Sequence, residues 1–365
     1  MNSLDEKYMR IALRLAGKAK GRTSPNPMVG AVVMKNGNVI SRGYHKKAGE
    51  PHAEAIALKK AGKAARGATL YVTLEPCSHT NKRTPPCTPL VMQSGVKRVV
   101  VAMIDPNPRV SGNGIKALRS AGIDVVTGVL AAEARKLNEA FIKHITTGMP
   151  YVTLKIAQTL DGKIATASGE SRWITGMEAR KEGHRLRDIN DAILVGINTV
   201  LKDNPSLTTR ISGGRDPVRV IVDSSLRIPL DARVLARTSQ ARTVIASLRS
   251  APQEKVKKLE AAGAEVLQVR STQGRVDLRD LMKKLGKSGI MSVLIEGGAE
   301  VHASAIKSGI VDKVVLFIAP VLMTGRDSLC SIGGISPARL SHAIRLTQVT
   351  SRFVGKDLMI EGHIS

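Results

Sequence analysis

Apolar positions along this chain follow two rhythms, one of helices and one of strands. Leu4, Met9, Ile11 and Leu15 recur at helical spacing among acids and bases, so the chain should open with an amphipathic helix. The runs "MVGAVVM" and "NVISRGY" then flank Asn36-Gly37, a dipeptide suited to a tight hairpin turn. Ala68 to Leu74 and "RVVVAMI" are unbroken apolar stretches of the length of buried strands. Helical patterns start at Pro51 and again after Pro85-Pro86, and "GIKALRSAG" precedes the strand-like "IDVVTGVL". One helical stretch, "AAEARKLNEAFIKHITTG", leads to Gly148-Met149-Pro150, which has the composition of a boundary. Strands alternating with helices predict a three-layer α/β domain up to that point. Beyond it, "YVTLKIA" and Val293 to Ile295 read as further strands, the second leading through Gly297-Gly298 into a helix.

The chain has 365 residues, enough for two domains, and 42% of them are hydrophobic, enough for two cores. No stretch approaches the length of an apolar membrane span, and the start has no secretory pattern, which points to a cytoplasmic protein. A formal charge of +26 raises the question of nucleic acid. Yet the basic residues are spread along the whole length, and three Phe, one Trp and four Tyr are too few for base-stacking platforms. Solvated faces, with some attraction for phosphorylated small molecules, account for the charge better.

The chemistry-bearing residues lie around "PHAEAIAL" and "LEPCSHTNKRTPPCTPL". His52 and Glu54, two apart on a first helical turn, point in different directions, so one can bind while the other works beside it. Cys77 follows the end of the Ala68 to Leu74 strand, and Cys87 opens a helical pattern, where thiols ionise readily. One histidine and two cysteines make three protein ligands and leave a fourth position open, as catalytic zinc requires. A His-x-Glu followed by Pro-Cys and a second Cys is the constellation of zinc deaminases that act on nucleobases. Zinc there acidifies water for attack on an amino-bearing ring carbon, and Glu54 carries the proton. The rival reading is two apolar fillers or a disulfide; three cysteines without a secretory signal speak against a disulfide framework. Cys330, with no partner motif, is expected to be a packed small hydrophobe.

Taken together, "TSPNPMVGAVV", "GYHKKAGEPHAEAIAL", "EPCSHTNKRTPPCTPL" and "AMIDPNP" resemble the amino-terminal half of the bifunctional riboflavin-biosynthesis deaminase/reductases. "YVTLKIAQTLDGKIATASGESRWIT", "LRDINDAILVGINTVLKDNPSLTTR" and "VLIEGGAEV" resemble that family's reductase half. The resemblance spans nearly the full chain. It implies a cytidine-deaminase-like domain, residues 1–147, and a dihydrofolate-reductase-like domain, residues 148–365. It also implies that His52, Cys77 and Cys87 hold one zinc ion, that Glu54 is the general acid/base, and that Asn26, His45, Arg83 and Asp105 surround a phosphorylated pyrimidine. Asn26 and Asp105, each beside a proline, could equally be turn formers. The loop between the cysteines is one residue longer than the common family form, so either Lys82 or Arg83 could face the substrate.

Reduction of a sugar imine or aldehyde needs a hydride that no side chain supplies, so the second domain requires a nicotinamide cofactor. The resemblance implies NADPH contacts from Ala157, Trp173, Thr199, Asp203, Ser224 and Gly298. It implies substrate contacts from Ser171, Arg187, Leu207, Arg210 and Glu296, with the two arginines on the ribose phosphate. Lys155 and Glu296 are candidates for protonating the imine; the alternatives are a Lys155 turned to solvent and a Trp173 packed in a core. The family also leads one to expect a homodimer or homotetramer, with no membrane partner. A nucleic-acid-editing deaminase would leave the second half unexplained, and a binding protein without catalysis would not need the zinc set with Glu54, Lys155 and Glu296.

Overall fold

The computed structural model describes residues 3–78, 85–108, 110–236 and 239–364. It divides into two compact units, Met1–Gly148 and Met149–Ser365. Among the described residues, no helix is long and apolar enough to cross a membrane.

In the first unit the chain opens with the expected helix, α1 (Ser3–Gly17), but its buried face is Tyr8, Met9, Ala12 and Ala16; of the four apolar residues that marked the helix only Met9 is buried, Ile11 and Leu15 being partly covered and Leu4 exposed. Strands β1 (Gly30–Lys35) and β2 (Asn38–Tyr44) pair antiparallel, and Asn36 and Gly37 take φ values of 50° and 76°, the left-handed pair such a two-residue turn demands. There follow α2 (Ala53–Ala61), β3 (Thr69–Leu74), α3 (Cys87–Gln93), β4 (Arg98–Met103), α4 (Asn113–Ser120), β5 (Asp124–Thr127), α5 (Ala131–Leu137) and α6 (Glu139–Thr147). The sheet order is β2-β1-β3-β4-β5, with β3, β4 and β5 parallel. Because β3 and β4 run side by side in one direction, Cys77 and Asp105 both leave the sheet just past the same strand-end edge.

Two details differ from the sequence-based expectation. The helix at Pro51 begins at Ala53, with His52 in extended conformation as its N-cap, so the histidine stands just outside the first turn. The long helical stretch before the boundary is two helices, broken at Asn138. Its side chain leaves helical duty to bond the backbone of Met28, accepting from the amide at 2.8 Å and donating to the carbonyl at 3.0 Å. Away from these elements, a buried Asp5 carboxylate takes two bonds from Arg98, at 2.9 and 3.0 Å, and one from the Tyr71 hydroxyl at 2.9 Å, tying α1 to the sheet.

The second unit contains β6 (Tyr151–Thr159), β7 (Lys163–Ala165), α7 (Met177–Ile189), β8 (Ala192–Gly196), α8 (Ile197–Asp203), β9 (Val218–Val222), β10 (Thr243–Leu248), α9 (Gln253–Ala261) and β11 (Glu265–Val269). Short strands β12 (Ser271–Thr272) and β13 (Arg275–Val276) precede α10 (Leu278–Lys287), β14 (Ser292–Gly297), α11 (Ala299–Lys307), β15 (Lys313–Ala319), β16 (Leu329–Cys330), β17 (Leu346–Val354) and β18 (Asp357–Ile364). Nine strands form one sheet in the order β11-β10-β9-β8-β14-β6-β15-β18-β17, parallel from β11 to β15 and antiparallel at β18 and β17. The central strands are apolar on both faces, with Val293, Leu294 and Ile295 fully buried, as a sheet covered on both sides requires.

Candidate active sites

In the first unit the sequence motifs converge. His52 Nδ1 lies 3.5 Å from Cys77 Sγ and 3.3 Å from Cys87 Sγ, and the three ligand atoms all fall within 4.8 Å of one another. The amide of Cys87, at the start of α3, donates to Cys77 Sγ at 3.3 Å, a contact that favours the thiolate. Two soft thiolates and an imidazole gathered this closely fit zinc, and all three cysteines of the chain are free of disulfides. Glu54 sits beside this cluster, 3% exposed; burial first, then the charge of Cys77, push its carboxyl up to about 7.

Two further predicted residues reach the same place. His45 is buried and stands edge-on to the His52 ring, with centroids 5.4 Å apart. Its Nδ1 lies 3.2 Å from the carbonyl of Pro51 and its Nε2 lies 3.1 Å from Asn26 Nδ2. The carbonyl assigns the ring hydrogen to Nδ1, so Nε2 accepts from the Asn26 amide and fixes which way that amide faces. Burial lowers the proton affinity of His45, which suits this neutral form. Arg83 and Lys82 lie outside the described residues. Asp105 is buried, and its carboxylate accepts from the Asn107 amide at 2.9 Å.

Glu75, in the quoted Leu-Glu-Pro-Cys run, was given no role by sequence reasoning. It is 2% exposed and accepts four backbone amides: Asp105 at 3.1 Å, Gly112 at 2.9 Å, Gly114 at 2.8 Å and Ile115 at 3.2 Å. One carboxylate thus caps α4 and ties the segment beginning at Asp105 to the strand end that carries Cys77. The only sequence signal was an acid placed just past a buried strand.

In the second unit a cleft of about 670 Å³ opens where the parallel strands β6, β8, β9 and β14 end, the usual ligand position in such sheets. Its lining includes Lys155, Ala157, Ser171, Thr199, Asp203, Ser224, Glu296 and Gly298. Trp173, Arg187, Leu207 and Arg210 are not part of that lining. Trp173 is 68% exposed, which excludes the core-packing alternative, and the Arg180 guanidinium lies 4.5 Å from its ring. Leu207 is buried, and the Arg210 amide donates to His184 Nδ1 at 3.3 Å. Gly298, with φ 88°, caps the start of α11, and a Cβ on Gly297 would press on the Thr199 hydroxyl at 3.0 Å; the two glycines leave this helix start bare of side chain, which fits a cofactor pyrophosphate.

Lys155 is half-buried, its side chain 17% exposed on the wall of the cleft, so it faces the cleft rather than open surface; its Nζ lies 3.9 Å from Glu296 Oε2. Arg187 holds the same carboxylate with two bonds, Nε to Oε1 at 2.7 Å and Nη2 to Oε2 at 3.0 Å, and donates from Nη1 to the Thr208 carbonyl at 2.9 Å. Burial lowers the proton affinity of Lys155 although Glu296 works against it; the cationic neighbours hold the buried Glu296 below its ordinary range. Cys330 is exposed rather than packed: β16 pairs only with short β7, leaving the thiol at the cleft rim, 3.5 Å from Lys163 Nζ.

Comparison with known proteins agrees with both halves. Residues 2–103 match the model for the cytidine and deoxycytidylate deaminase zinc-binding region, and residues 150–360 match that for the RibD C-terminal domain. The riboflavin biosynthesis protein RibD of Aquifex aeolicus is 47% identical over 361 residues, covering 99% of this chain and 98% of that protein. The Escherichia coli protein of the same name is 41% identical, covering 98% of each. Among solved structures, Acinetobacter baumannii RibD superposes with a TM-score of 0.89 at 37% identity, covering 99% of both chains. A Thermotoga maritima diaminohydroxyphosphoribosylaminopyrimidine deaminase/5-amino-6-(5-phosphoribosylamino)uracil reductase superposes with a TM-score of 0.86 at 39% identity over 99% of both. With a zinc-fitted deaminase site and a reductase cleft on one polypeptide, this chain belongs to the RibD family of bifunctional riboflavin biosynthesis enzymes.

Proposed function

We propose that the deaminase domain, residues 1–147, hydrolyses the amino group from 2,5-diamino-6-(ribosylamino)-4(3H)-pyrimidinone 5′-phosphate. The reductase domain, residues 148–365, then reduces the ribosyl chain with NADPH to give 5-amino-6-(ribitylamino)uracil 5′-phosphate. The observation that carries this reading is the pairing, in one chain, of a His52-Cys77-Cys87 cluster beside a buried Glu54 with a strand-end cleft holding Lys155 and Glu296.

Zinc, when bound by His52, Cys77 and Cys87, supplies the Lewis acid that acidifies water at the amino-bearing ring carbon. Glu54 takes the proton from water and delivers it to the departing ammonia, a transfer that its raised proton affinity suits. Asn26, held by His45, reads the polar edge of the pyrimidinone. Asp105 borders the ring, and Arg83 holds the phosphate as a two-pronged donor.

In the reductase domain, NADPH supplies the hydride and is held by Ala157, Trp173, Thr199, Asp203, Ser224 and Gly298. Ser171, Leu207, Arg187 and Arg210 take the ribosyl phosphate side of the substrate. Lys155 gives a proton to the imine nitrogen, and Glu296 holds Lys155 in place. The partner is a small phosphorylated pyrimidine and not a nucleic acid. Because that substrate and NADPH are charged and do not cross membranes, the enzyme is assigned to the cytoplasm. A homodimer or homotetramer is supported by the edge strand β17, exposed at every residue but Val354, where Val349 and Phe353 are 53% and 75% exposed.

The test is one assay. Given the diaminopyrimidinone ribosyl phosphate and NADPH, the zinc-loaded protein should release ammonia and then consume NADPH. Ammonia alone would require a different substrate or cofactor for the second domain, and neither signal would overturn the reading. A gel shift with tRNA at moderate salt should show no complex, and light scattering on the eluting protein should give a mass above 39.0 kDa.

A further inference from the structure

Arg187 is a heavily engaged cation among the described residues of the reductase unit. It spends two of its donors on Glu296 and a third on the Thr208 carbonyl, and it is not among the residues that line the cleft. Its side chain is 18% exposed and that of Glu296 only 7%. Lys155, which does line the cleft, reaches the same carboxylate with one contact of 3.9 Å, too long for a hydrogen bond. The carboxylate is thus shared unequally: the guanidinium fork takes both oxygens, and the ammonium stands off.

We propose that Arg187 is a positioning residue for the reduction: by occupying both oxygens of Glu296 it keeps Lys155 from closing on that carboxylate, so that the ammonium proton stays available to the substrate. This rests on the reading of Lys155 as the proton donor. In that step the C1′=N bond of the open-chain imine takes a hydride from NADPH, which leaves as NADP⁺. The nitrogen takes one proton from Lys155, which is left neutral and regains a proton from water.

The charges around the pair all bear on the outcome. Lys155 faces Glu296 on β14, Arg187 on α7 and His302 on α11, and its ammonium lies 5.8 Å from the Phe317 ring centre on β15. His184 acts on Glu296 from α7, and Asp216 acts on Arg187. Of these, Arg187 lowers the proton affinity of both Lys155 and Glu296, whereas Glu296 raises that of Lys155. Removing the guanidinium should therefore raise both: Lys155 would keep its proton to higher pH, and Glu296 would take one up at higher pH.

The experiment is the pH profile of kcat/KM for NADPH oxidation on the supplied deaminated intermediate, in the full chain and in Arg187→Gln. Both limbs of the bell should move to higher pH, by about one unit. Limbs that stay in place while only KM rises would overturn the proposal and leave Arg187 as a phosphate contact alone. Should Arg187→Gln not fold, Arg187→Lys keeps the charge but loses the fork; its limbs should move the same way by less, and unmoved limbs overturn the proposal there too. Lys155→Ala separates the two claims, since undiminished NADPH oxidation in that variant would remove Lys155 as donor whatever Arg187→Gln does.

Discussion

Gly114 is where a single methyl group should do the most specific damage. It lies in the first turn of α4, buried, and its amide donates to Glu75 Oε1 at 2.8 Å. A Cβ there would overlap the Pro76 carbonyl oxygen and sit 3.2 Å from Glu75 Oε1. Close-packed interiors do not absorb such an overlap, so Gly114→Ala must drive α4 away from the strand end by about 1 Å. The bonds of Gly114 and Ile115 to Glu75, at 2.8 and 3.2 Å, would stretch, and the segment from Asp105 to Gly112, hung on the other oxygen, would move with them. Overpacking of this kind costs about 1 to 3 kcal/mol, which leaves the domain folded. A catalytic wall displaced by about 1 Å, however, costs about 10²-fold in rate. Ammonia release should therefore fall by that order, with zinc still bound and NADPH oxidation on supplied deaminated intermediate unchanged. Wild-type ammonia release would refute the rigid docking of α4 on Pro76, and loss of both activities would mean unfolding rather than misplacement.

Other variants probe single links. Glu54→Gln should keep zinc, measured by metal analysis, and lower ammonia release by about 10² to 10⁴-fold; a variant that still deaminates would remove Glu54 as proton carrier. Cys87→Ser should lose zinc at a chelator concentration that leaves the parent protein loaded, because a hydroxyl replaces a thiolate ligand. Asp5 is held below the usual carboxylate range by its bonds to Arg98, against the opposing effect of burial. Its contribution is therefore complete above the unfolded value near 3.9 and vanishes as pH falls through the lower folded value. Asp5→Asn should cost about 2 kcal/mol in denaturant titrations at pH 7, and the gap to the parent should shrink below about pH 4; a gap constant with pH would argue against the ionised carboxylate.

Legibility in the sequence followed the range of the interactions. That His52, Cys77 and Cys87 gather beside Glu54 was readable because a metal site would dictate residue type, and helix starts and strand ends dictate where such residues stand. The Asn36-Gly37 turn was readable because its φ demands are local. Glu75 was not, since its partners lie 30 to 40 residues away and its neighbourhood shows only one acid after a strand. The break at Asn138 was hidden for the same reason: its flanks are good helix formers, and Met28, which captures the side chain, is 110 residues distant. The pairing of Arg187 with Glu296 spans 109 residues, and nothing near either one announces it.

The same distinction explains why resemblance and geometry say different things about Arg187. A motif assigns an arginine to a phosphate because guanidinium forks suit dianions, and by type the assignment is sound. Type alone does not decide which acceptor wins. In this fold Glu296 ends a buried strand opposite α7, and a carboxylate so placed must be paired where it sits, since leaving it bare costs several kcal/mol. Lys155 does not meet that need, since its ammonium stands 3.9 Å off without a hydrogen bond. The pair therefore needs a third charge from another element, and α7 supplies it. The buried carboxylate by itself, before any phosphate is considered, already calls for an arginine at position 187.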